Sequence, residues 1–251
     1  MTADLPSSGS SAPAARGPSA AAYVKLDWDY PVYEEVAADT EGSQAKKVRR
    51  ALTREDAFAY IAGNDPRPLL ILRECKVCNG TDTALLRGGV DNERTALLAR
   101  WFHCVKLPID VREENHPFYV LFPEKDAEHL FVSSADGSTR IGLESEGSRT
   151  RLLDSMGKVI AAEYKQKPAS SLKKIAMLLD DLDVLDSRHR TLQLRRNELI
   201  EDEGPDSRKL AKIERDLAEV QEELAEARDE VVAASALELK RQKEDRRARE
   251  G

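Results

Sequence analysis

The chain has 251 residues, a formal net charge of −7, 34% charged residues and only 5% aromatic residues. That length suits one well-packed domain plus an extension, and the scarcity of aromatics argues against a single core running through all of it. The acidic balance argues against a general nucleic-acid or anionic-membrane binder, and no apolar run reaches the roughly 18 residues of a membrane span.

No basic start leads into an apolar segment at the N-terminus, so no secretory signal is expected and the cytoplasm is the expected location. Three cysteines make no disulfide framework. In a reducing compartment a close cysteine pair reads as redox or metal chemistry before it reads as structural.

Residues 1–22 are Ser, Ala, Pro and Gly with almost no apolar bulk, and are expected to be a disordered tail. Residues 23–50 read as an extended arm and loop, with Tyr23, Trp28, Tyr30 and Tyr33 able to lie on the domain that follows. That domain is expected over residues 51–166. Thr53 followed by Glu55 and Asp56 fits an N-cap with acids in the first helical turn. The helix it starts carries Ala57, Phe58, Tyr60 and Ile61 and stops at Gly63-Asn64-Asp65-Pro66.

The next stretch organises the rest. Leu69-Leu70-Ile71-Leu72 is a continuous aliphatic run behind Arg67-Pro68, the pattern of a short strand covered on both faces. Directly after it come Cys75 and Cys78, a Cys-x-x-Cys pair that can close a small disulfide on one helical turn. At a helix N-terminus, unpaired N–H groups and the dipole favour a thiolate, the species that attacks disulfides. Asn79-Gly80 is a turn signal, and Thr81-Asp82-Thr83 restarts a helix through Leu85 and Leu86. Gly88-Gly89 breaks the chain, and Asp91 or Asn92 caps a helix through Trp101. A second strand is expected from Phe102 to Ile109 with Asp110 at its end, then a short helix over His116 to Phe122. Asp136-Gly137 between two strand-like runs is a hairpin signal, and Ser148 opens an amphipathic helix carrying Leu152, Met156, Val159 and Ile160.

A buried strand leading into Cys75 and Cys78, a helical section, a second strand, an Asp-Gly hairpin and a closing helix together resemble the thioredoxin-like superfamily. The resemblance covers roughly Thr53 to Tyr164. It implies an α/β, three-layer sandwich in which Cys75 attacks and Cys78 resolves, acting on protein thiols and disulfides with no cofactor. The chain departs from the family pattern at three places. No Trp precedes Cys75, Leu70 and Ile71 occupy the strand region where thioredoxins carry a buried acid, and no proline stands near Glu128-His129, where the family has a cis-proline.

Residues 168–245 carry two heptad seams, Ile175 to Leu199 and Leu210 to Ala234, separated by Gly204-Pro205. They are expected to form an antiparallel helical hairpin or coiled coil, with His189 and Arg196 in the stripe leaving room for a second copy or a partner's helix. Residues 246–251 are expected to fray.

Zinc is not expected, since His103 and Cys104 are adjacent and poorly placed to complete a four-ligand site with Cys75 and Cys78. Cys104 reads as a small buried hydrophobe. His116, His129 and His189 have no spacing that marks catalysis. Two functions follow: a thiol–disulfide oxidoreductase working through Cys75 and Cys78, or a non-enzymatic adaptor with a redox-silent domain of the same architecture.

Overall fold

The computed structural model describes residues 15–33, 50–75, 80–87, 92–122, 128–143 and 148–240. Within these, the chain builds a mixed five-stranded sheet with helices on both faces and a long C-terminal helical hairpin.

The Thr53 cap forms as its sequence requires: its hydroxyl accepts the Asp56 N–H, and helix α2 runs Arg54–Ala62 until Gly63, at φ 54°, turns the chain. The aliphatic run becomes strand β2, Leu69–Arg73, with all five residues buried. It lies at the centre of the sheet, parallel to β3 (His103–Leu107) and antiparallel to β4 (Leu130–Ser133). Strand β5, Arg140–Leu143, pairs antiparallel with β4 through the expected hairpin. There Gly137 sits at φ 70°, and a Cβ on it would lie 2.3 Å from the Phe58 ring. Only glycine meets both demands.

Alternation along β2 sorts the core into two layers. Leu69 and Ile71 face Phe58 and Ile61 of α2 together with Phe118 and Phe122. Leu70 and Leu72 belong to the opposite layer, with Leu97 and Leu98 of α4 (Glu93–Ala99) and Leu152, Met156 and Ile160 of α5 (Arg149–Glu163). An uninterrupted apolar run is what a strand with two such faces needs.

Several expectations need correction. Part of the arm is a strand: β1, Trp28–Asp29, pairs parallel with β3 and sets the sheet order β1-β3-β2-β4-β5. The second strand stops at Leu107 rather than Ile109, because Pro108 has no N–H for the ladder. Asp110 instead lies in a 3₁₀ turn, Ile109–Arg112. The short helix expected over His116 to Phe122 is a single 3₁₀ turn, Tyr119–Leu121. The tail expected to be loose over residues 1–22 is ordered where it is described. Helix α1, Pro18–Ala21, packs on the hairpin with Ala20 fully buried, because the residues around it find carboxylate partners there. Residues 34–49 of the arm, Gly88-Gly89, and the chain beyond Lys240 lie outside the described residues.

The hairpin forms from α6, Pro168–Glu203, and α7, Leu210–Ser235. The heptad residues Ile175, Leu178, Leu182, Val220, Leu224 and Val231 are buried between them. Lys174–Glu230, Arg188–Glu223 and Arg196–Glu214 pairs fix an antiparallel register. These exposed pairs specify alignment more than they stabilise it. At the turn Glu203 binds Lys209 and Ser207, which holds its carboxyl below the usual range. After α7 the chain returns to the domain: Glu238 O accepts the Lys165 N–H, and Lys240 donates its N–H to Glu163 O.

Candidate redox site at the end of the central strand

The sheet ladder carries one residue past β2, where the Glu74 N–H donates to Leu107 O at 2.9 Å and the Glu74 carboxylate pairs with Lys106 at 2.9 Å. Cys75 is therefore the first residue to leave the sheet, at the C-terminal end of its central strand. It is half-buried and disulfide-bonded. Cys78, the second member of the expected pair, lies outside the described residues. The helix expected after the pair, α3, begins at Thr81 behind Gly80, which is at φ 77°.

Cations gather at this end of the sheet. Arg73 is only 4% exposed, its N–H donates to His129 O at 2.7 Å, and its guanidinium lies 5.5 Å from the Phe122 ring centroid. Burial, then the positive charges of Arg73 and Arg112, hold the His129 imidazole below its ordinary pKa. The strand contributes no acid here, since Leu70 and Ile71 are fully buried aliphatics.

The remaining sequence candidates lie elsewhere. Cys104 is opposite Leu70 in the register, buried and free, with its thiol pushed up to about 12 by burial. It behaves as the small hydrophobe its strand position implies. His116 is buried, and its Nδ1 accepts the Phe118 N–H at 3.1 Å, a turn-forming role. His103 meets Asp29 at 3.2 Å, across the edge of the sheet. His189 lies on α6 in the distal hairpin. Among the described residues no group of three metal-ligating side chains converges.

Sequence reasoning missed the Arg73–Arg112–His129 grouping. A cation ending a buried aliphatic run was a visible signal for Arg73. Nothing local marks Arg112 or His129, which only the sheet and the following turn bring near it. Comparison with protein-family models, with curated proteins and with solved structures finds no match for this chain.

Proposed function

We propose that the protein is a thioredoxin-like thiol–disulfide oxidoreductase acting on protein disulfides through Cys75 and Cys78. One observation carries the reading: Cys75 stands where the buried central strand leaves the sheet. The β1-β3-β2-β4-β5 strand order, with helices on both faces, supports the same architecture.

In this reading the Cys75 thiolate attacks a substrate disulfide, forms a mixed disulfide and releases one substrate thiolate. The Cys78 thiolate then attacks the Cys75 sulfur, closing the Cys75–Cys78 disulfide and releasing the second substrate thiolate, so that two electrons pass to the substrate. Arg73 and Arg112, whose charges add to burial in lowering the His129 pKa, supply positive charge near this end of the sheet that would favour a thiolate. The hairpin then serves oligomerisation or docking through residues 168–245.

The test is reduction of insulin disulfides with dithiothreitol as electron donor, comparing the native chain with Cys75→Ser. Turnover well above the variant is expected; equal rates would remove the enzymatic reading.

The adaptor reading is favoured by a specific feature, the aliphatic Leu70 and Ile71 where a proton-transferring acid would assist release of the substrate thiol. It expects a Cys75 thiol titrating near the free value of about 8.5. The oxidoreductase reading expects one well below it.

A further inference from the structure

The opposite end of the sheet carries a second polar feature that the cysteine chemistry does not use. A cleft of about 580 Å³ opens at the N-terminal ends of β2 and β3, beside edge strand β1 and the last residue of α7. Its walls include Leu26, Trp28, Arg67, Arg100, His103 and Ser235. The volume falls in the range of small-molecule sites, about 300–1,000 Å³.

The charges in this cleft are not all matched. Arg67 is committed: it forms a fork with Asp65 at 2.6–3.0 Å and donates through Nη1 to Arg100 O at 2.9 Å. His103 Nε2 is engaged by Asp29. Arg100 is different. Its guanidinium lies 5.1 Å from the Tyr23 ring centroid, it forms no ion pair among the described residues, and its buried Nε has no hydrogen-bond partner. His103 Nδ1 is likewise buried without a partner. Burial lowers the Arg100 pKa, opposed by Tyr23 and assisted to a lesser extent by the neighbouring Arg67. Lys25 adds a positive charge at the rim, and Asp27 and Asp29 add negative ones.

A guanidinium carries its donors in one plane, the arrangement that receives a two-oxygen anion, and the Tyr23 ring beside it restricts where that plane can lie. We propose that this cleft binds a small organic anion, whose carboxylate or phosphoryl oxygens meet Arg100 and whose apolar body lies along Leu26 and Trp28. Asp27 and Asp29 at the rim disfavour polyanions such as nucleic acid. The site lies at the end of the sheet remote from Cys75 and does not depend on the redox reading.

The test is a titration of the full chain with sodium succinate and, separately, with inorganic phosphate, at ionic strength held constant with chloride. The readout is the ¹⁵N–¹H NMR signal of the Trp28 indole and of Arg100 Nε, with the amide of buried Val220 on α7 as internal control. Saturable shifts at Trp28 and Arg100 are expected, with Kd on the order of millimolar or tighter. Arg100→Gln should weaken binding by at least about tenfold while leaving the Val220 signal in place. Succinate binding more tightly than phosphate assigns a carboxylate ligand, and the reverse assigns a phosphoryl one. Absence of saturation with both probes, or equal affinity in Arg100→Gln, would overturn the proposal.

Discussion

At the residue scale, His129 reports on the field around the candidate redox site. Its folded-state pKa lies below the ordinary 6.5, first because of burial and then because Arg73 and Arg112 oppose a third positive charge. The unfolded chain therefore binds the proton more readily than the folded one. The resulting stability is present above about pH 6.5 and is lost as pH falls through the lower folded value. Between pH 7.5 and 5.5 the native chain should lose stability to urea more steeply than His129→Gln, which retains the backbone carbonyl that accepts from Arg73. Equal slopes for the two proteins would show that the His129 pKa is not lowered on folding.

At the element scale, the N-terminal segment is held by one arginine. Arg16 grips Glu93 of α4 with two bonds at 2.7 and 2.8 Å, and reaches Asp183 and Asp180 of α6 at 2.7 and 2.5 Å. These bonds raise its pKa, with Glu93 the largest cause. The Gly17 N–H donates to Asp183, Ser19 donates to Asp186, and Arg228 of α7 donates to the Ser19 hydroxyl. The segment thus ties α4, α6 and α7 together. Arg16→Ala leaves partly buried carboxylates facing one another and should cost roughly 1–3 kcal/mol, discounted for the exposed Asp180. Arg16→Lys should recover only part, because a point charge cannot reproduce the fork. Urea unfolding measures the loss, and amide exchange at residues 15–22 should quicken in parallel; unchanged exchange would mean the segment is held by α1 packing alone.

None of this clamp was legible in the sequence, and the reason is distance along the chain. Arg16 looks like one more residue of a Ser-Ala-Pro tail, and its partners lie 77 to 167 positions away. Local signals fared better. The Thr53 cap, the aliphatic run of β2, the Asp136-Gly137 turn and the heptads of α6 and α7 each encode their structure within a few residues. Strand β1 did not, since two residues of edge strand carry no period and exist only because β3 offers an open side. Of the candidate site, the position of Cys75 was readable from the run before it. The cations near that end of the sheet, and the cleft at the other end, arise from turns that the sheet folds together.

At the scale of the whole molecule, the hairpin is built into the core rather than appended to it. Ile175, Leu178, Leu179 and Leu182 of α6, with Val220, Leu224 and Val231 of α7, belong to the same apolar layer as Leu70 and Leu72 of the central strand. The Trp101 indole N–H donates to Ser235 O at 2.8 Å, and the Tyr164 hydroxyl donates to Trp101 O at 2.7 Å, so the end of α7 is locked to the α4–β3 corner. Uncovering even two large apolar side chains costs about 1.5–3 kcal/mol each, and the lost Trp101 bond costs about 1 more. That sum, about 4–7 kcal/mol, matches the lower end of the whole stability of a domain, about 5–15 kcal/mol. A chain ending at residue 167 should therefore melt on the order of 10 °C or more below the full protein, or show no cooperative transition. The full chain should unfold in one step by circular dichroism and by Trp fluorescence alike. Two separate transitions, or a truncated chain with an unshifted midpoint, would instead make the hairpin an independent module. Because its base also forms one wall of the Arg100 cleft through Ser235, a truncated chain that does fold should bind succinate less tightly, which separates a structural role for the hairpin from a purely recruiting one.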